Sequence, residues 1–157
     1  MDAQSEKLLA HIIRSTRIAS LATLRDEAPQ ISMAAYVSVD DFSAFYIHVS
    51  KLAQHTMDMQ KNKQVSLMIA ETDDGRADPQ TLARVSIRGY AEMIQNGEPG
   101  YTPIKEMYLA RFPEAGQLFK LADFSFWRIR PKGGRYVAGF SKAYNITPEA
   151  LKKASAR

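Results

Sequence analysis

The chain has 157 residues, of which 45% are apolar and 24% charged, and its net charge is +4. That length suits one domain with a single sizeable core, and the Lys and Arg residues are dispersed rather than gathered into the dense stripe of a nucleic-acid binder. There is no cysteine, which excludes disulfides, thiolate catalysis and cysteine metal sites, and no apolar run approaches the ~18 residues of a membrane span. Residues 1–157 are therefore read as one cytoplasmic domain without a nucleic-acid or membrane partner.

The opening residues read as an amphipathic helix and not as a secretion signal: Leu8, Leu9, Ile12 and Ile13 make one face, with Ser5 as its expected N-cap. Residues 18–24 read as a strand, and 25–29 as a turn. Across 30–39, Ile31, Met33, Ala35, Val37 and Val39 alternate with Ser32, Ala34, Tyr36 and Ser38, which predicts a strand with two unlike faces. Residues 44–49 return as its hairpin partner. A helix is expected over 52–62 and a strand over 64–71. An acidic, turn-rich loop leads to a strand over 84–94, where Gly89 signals a bulge or a close backbone approach. Thr102 and Pro103 are the expected start of a helix carrying Ile104, Met107, Tyr108 and Phe112 on one face. A short helix over 113–122 follows, then a hairpin of 123–131 and 135–140 turning at Lys132, Gly133 and Gly134. Trp127 and Phe140 are read as core. Thr147, Pro148 and Glu149 start a terminal helix. Several strands follow one another without an intervening helix, which favours an antiparallel sheet closed into a barrel over a doubly wound parallel one.

The chemistry-bearing residues gather where the strand ending at Ser50 meets the next helix. A helix N-terminus leaves free N–H groups and partial positive charge, a setting that stabilises an anion such as phosphate. Ser50 and Thr56 offer hydroxyls there, and Lys51 and His55 offer charge or further donors. The plainer reading makes Ser50 a helix cap and Lys51 a solvated cation. His11, His48 and His55 are the only histidines; none has metal-site spacing, so no metal centre is expected. "GFSKA" at 139–143 is not a nucleophile turn, because no histidine lies downstream to serve as base. Arg84, Ser86 and Arg88 share one strand face against Val85 and Ile87, most simply a half-solvated face. No acid–base pair stands out, so catalytic residues and substrate stay unassigned.

The run "ASLATL…APQISMAAYVSV…FYIHVSKLAQHTMDMQKNKQVSLMI" resembles the FMN-binding split barrel of the pyridoxamine 5'-phosphate oxidase-like superfamily. The run "RVSIRGYAEMI…YLARFPEA…LADFSFWRIRPKGGRYVAGFSKAY" is similar to its haem-utilisation branch; together they cover about residues 16–146. The resemblance implies a mainly β fold with peripheral helices, a six- or seven-stranded antiparallel split β-barrel, and a homodimer with two flavin sites at its interface. It puts the FMN phosphate at Ser50, Lys51, His55 and Thr56. The flavin ring would lie along Ser32, Met33 and Ala34, with Arg84 reaching it from the other subunit. It implies an FMN-dependent oxidoreductase acting on a small, unidentified substrate, with haem as the second-ranked ligand and a non-catalytic flavin-binding module as a further alternative. The family's Arg-Lys pair at the phosphate junction is replaced by Gln54 and His55, and its terminal Arg-x-His substrate motif by "GFSKAYNI". The vitamin B6 oxidase reaction is therefore not expected. Asp123 matches the haem branch's acidic residue. No histidine follows His55 to match that branch's C-terminal iron ligand.

Overall fold

A computed structural model describes residues 1–157. Its elements run α1 (Ala3–Ser15), β1 (Ile18–Arg25), β2 (Ala28–Ser38), β3 (Phe45–Ser50), α2 (Gln54–Lys61), β4 (Gln64–Ala70), β5 (Arg84–Ile94), α3 (Tyr101–Arg111), β6 (Phe124–Gly139), β7 (Lys142–Ile146) and α4 (Pro148–Ser155). Turns of 3-10 helix occupy Pro79–Thr81 and Pro113–Lys120. The seven strands pair antiparallel in the order β3-β2-β1-β4-β5-β6-β7, and a further β3–β6 ladder closes the sheet on itself. This is the expected split barrel. No helix is long and apolar enough to cross a membrane.

The barrel interior holds the main core, including Leu21, Tyr36, Phe45, Leu67, Val85, Ile87 and Ile129, with Leu9, Ile12 and Ile13 of α1 packed into it. The alternation of β5 is as read: Val85 and Ile87 point inward and are fully buried. A second core lies outside the barrel, where α3 and the 113–120 turns cover Val37, Tyr46, Ile94 and Phe126 with Ile104, Tyr108 and Phe112. Buried Glu6 pairs with Lys153 and Arg157 at 2.7 and 2.8 Å, fastening α1 to α4.

Several boundaries differ from the sequence expectations, each for a local reason. Asp2 caps α1, accepting from the Ser5 amide at 2.8 Å, while Ser5 itself is buried against Tyr144. Helix α3 starts at Tyr101, after Gly100 with φ 93, one residue before the expected Thr102 cap. The segment over 113–120 is 3-10 and not α. The β1–β2 turn needs only Asp26 and Glu27, both with positive φ, so β2 begins at Ala28.

No hairpin forms at Lys132, Gly133 and Gly134. β6 runs straight through them, because Gly134 lets β5 come so close that a Cβ there would lie 2.0 Å from the Ser86 carbonyl oxygen. Gly89 plays the same part opposite: the ladder shifts register between Arg88 and Gly89, and an added Cβ would meet the Arg130 oxygen at 2.4 Å. The real turn lies between Gly139 and Lys142 and opens a seventh strand. Phe140 sits at that turn and is 83% exposed, so it is not core, whereas Trp127 is buried as expected.

Candidate functional site

The barrel is split between β2 and β3. β2 pairs with β1 from Ala28 to Ala35 but with β3 only through Tyr36, Val37 and Ser38. The first half of β2 therefore has no strand partner on its β3 side. On its other edge β3 pairs with β6 throughout, from Phe45 opposite Ile129 to Ser50 opposite Phe124, so beyond Ile47 it has β6 alone as a partner. The chain then turns through residues 51–53 into α2, which packs on β1. Buried Asp58 fixes that packing by accepting from Thr23 Oγ1 at 2.9 Å and Arg25 Nε at 3.1 Å. The Arg25 contact holds the Asp58 carboxyl below its ordinary range.

The expected site residues fall into three groups. Ser50, Lys51, His55 and Thr56 come together at the β3–α2 junction. There, the Ser50 hydroxyl donates to Asp123 Oδ2 at 2.6 Å and accepts from the Leu52 amide at 3.1 Å. The Thr56 hydroxyl is fully buried and donates to the Ser50 carbonyl at 2.7 Å. Both hydroxyl protons are thus committed within the chain. Lys51 is exposed and has no ion-pair partner, and no side chain caps α2. His55 is half-buried; its Nε2 has no hydrogen-bond partner. Burial lowers its pKa, with Asp58 pulling the other way, so the neutral imidazole is favoured at neutral pH.

Ser32, Met33 and Ala34 lie on the unpaired half of β2, but not on one face. Met33 stands 64% exposed on the outer face, whereas Ala34 is buried inward and Ser32 Oγ is buried without a partner. Arg84 lies elsewhere. It faces Val137 at the far end of β6 from the junction, and its guanidinium donates to the Gln80 and Leu82 carbonyls at 2.9 Å. One chain alone does not bring Arg84 to Ser50.

Two features escaped the sequence reading. The first is the Asp123–Ser50 latch, which joins residues far apart in the chain. The alternation of β3 gave no hint of it. The second is the enclosure of His48. Its ring stacks on Phe119 at 4.1 Å and 11°, with Tyr108, Phe124 and Phe126 also close. Burial, helped by nearby Lys105, pushes its pKa down to about 4. An alternating strand with a polar residue at every position of one face would have signalled a solvated histidine. Here α3 and the 113–120 turns cover it instead.

The family described as pyridoxamine 5'-phosphate oxidase matches residues 5–138. This chain belongs to that family. A chloroplastic heme oxygenase, HOZ, of Arabidopsis thaliana is 35% identical over 116 residues, 74% of this chain and 34% of the relative. The chain thus spans about a third of that protein's length. Heme oxygenase HutZ of Vibrio cholerae is 26% identical over 124 residues, 78% of this chain and 69% of the relative. Among solved structures, a heme binding protein from Mycobacterium smegmatis superposes with a TM-score of 0.82 at 27% identity, covering 95% of this chain and 60% of that one.

Proposed function

We propose that this chain is a haem-binding protein of haem utilisation, acting in the cytoplasm as a homodimer with its ligand against the unpaired half of β2. The observation that carries the reading is the donor set bordering the split. His55 Nε2 is buried at the β3–α2 junction without a hydrogen-bond partner, a costly state that a ligand bond would relieve, and the neutral imidazole is the form that ligates iron. Lys51 is an exposed cation free of carboxylates, suited to a propionate. His11 lies exposed on α1, and His48 is enclosed by rings, so neither borders the split. The kinship to proteins named heme oxygenases supports haem over the flavin ranked first from sequence. When bound, haem would supply the iron and its reactivity toward oxygen. The chain's own part is to ligate, to orient through Lys51, and to exclude water with the apolar outer face around Met33. Dimerisation is supported by that same face, where Ile31, Met33 and Ile18 are 78%, 64% and 48% exposed.

FMN remains the second reading because α2 has no side-chain cap and Lys51 stands beside its open N-terminus. An FMN-dependent oxidoreductase or a non-catalytic flavin carrier would both use that phosphate site. Haem and FMN titrations of the purified protein, followed by absorbance, separate the two. Haem is expected to saturate at one per protomer with a histidine-type spectrum that is lost in His55→Ala. Saturable FMN binding that weakens by about 1–3 kcal/mol in Lys51→Ala, with His55→Ala leaving haem unchanged, overturns the proposal.

A further inference from the structure

β1 and β4 pair only through Ser20, Leu21 and Ala22. Beyond Ala22, β1 follows α2, drawn by the Thr23–Asp58 hydrogen bond, while β4 stays with β5. A notch opens between them, a cavity of about 360 Å³ reaching from β1 to Lys132 of β6. Small groups at Ala22, Ser66 and Gly89 line it together with the larger Leu24, Pro29 and Val65. Arg88 and Tyr90 stand on the rim because they share the outer face of β5, and Lys132 is the extra residue of β6 where the ladder shifts register.

The rim chemistry is one-sided. Arg88 and Lys132 both line the cavity, and no carboxylate does. Neither side chain forms an ion pair, although Arg25, Arg76, Arg128, Arg130 and Arg157 all do. Lys132 Nζ lies 5.6 Å from the centroid of the Tyr90 ring, which is 45% exposed. Two cations without carboxylate partners beside a half-exposed aromatic ring, in a notch with an apolar wall at Leu24, Pro29 and Val65, match a flat body carrying a negative group.

We infer that this notch is a binding site for a small planar organic anion, a phosphate ester or carboxylate on one or two rings, separate from the β2–β3 split. The anion meets Arg88 and Lys132, and the ring lies against Tyr90. None of these residues belongs to the proposed haem site, so the inference stands or falls independently of it.

The test is calorimetric titration of the full chain with phenyl phosphate and, separately, benzoate; the tighter probe identifies the anion. Saturable one-to-one binding is expected, weakening as salt is raised. Arg88→Gln and Lys132→Gln should each weaken it about tenfold, the size of a lost charge-assisted hydrogen bond. Both side chains are exposed, and circular dichroism confirms that the variants fold. Haem titration of the same variants should match the wild type. The absence of saturable binding by either probe, or equal affinity in wild type and both variants, overturns the assignment.

Discussion

The outer surface of the barrel has two regions built from the same strands and treated oppositely. Toward the end of β2, the outer side chains Val37 and Val39 meet Ile104, Tyr108 and Phe112, and Val37 is 2% exposed. Toward its start, Ile31 and Met33 occupy the same face and are 78% and 64% exposed. Met68 of β4, two strands away, continues the bare region at 42%. The covering segment, α3 with the 113–120 turns, spans only the end near β3 and β6. A single alternating strand thus runs from an internal core to an apolar surface without changing its pattern. The difference teaches that one alternation serves two ends: a face this chain covers itself and an apolar face it leaves bare.

The largest effect should come from the covered region. Phe126 is fully buried in the outer core between Tyr101, Tyr108 and Phe119. Phe126→Ala should cost about 3–5 kcal/mol in a urea unfolding curve. A cost below about 1 kcal/mol would mean that α3 does not seal this face.

His48 sharpens the same contrast through pH. Its pKa falls from 6.5 unfolded to about 4 folded. Above 6.5 it is neutral in both states and contributes no pH dependence. As pH falls from 6.5 toward 4, the unfolded chain takes the proton first, so stability is lost at up to about 1.4 kcal/mol per pH unit. His48→Phe, which keeps a ring against Phe119, should remove that slope. Parallel curves for wild type and variant over this window would show that His48 is not sealed.

The bare region should respond in assembly and hardly at all in fold. Met33→Asp is expected to leave the stability of the isolated chain within about 0.5 kcal/mol, since the side chain is mostly exposed in one protomer. Sedimentation should show the wild type as a dimer and the variant as a monomer. A wild type that sediments as a monomer at micromolar concentration would end the idea that a second copy covers this face.

Much of the fold was legible because its signals are local. Val85 and Ile87 announce an inward face by period two, Gly89 announces a bulge, and Thr147 before Pro148 announces a helix that does start there, accepting from the Ala150 amide at 3.2 Å. The misreadings came where a local signal had a non-local cause. Gly133 and Gly134 look like a turn, yet Gly134 is small so that β5 and β6 can touch, and Gly133 lies against the Ile146 carbonyl of β7. Phe140 looks like core, yet it sits on the true turn.

At the candidate site, the sequence by itself determined the residue types: a strand ending at Ser50, a helix expected from residue 52 that in fact starts at Gln54, and Lys51 and His55 beside them. Only the tertiary structure decided what those groups are free to do. Ser50 and Thr56 donate their hydroxyl hydrogen bonds to Asp123 and to the Ser50 carbonyl, which leaves the exposed Lys51 ammonium and the buried His55 Nε2 without partners. The physical reason is that hydrogen-bond capacity is finite, and a contact between β3 and the residue preceding β6 is set by barrel closure, which no short-range pattern records.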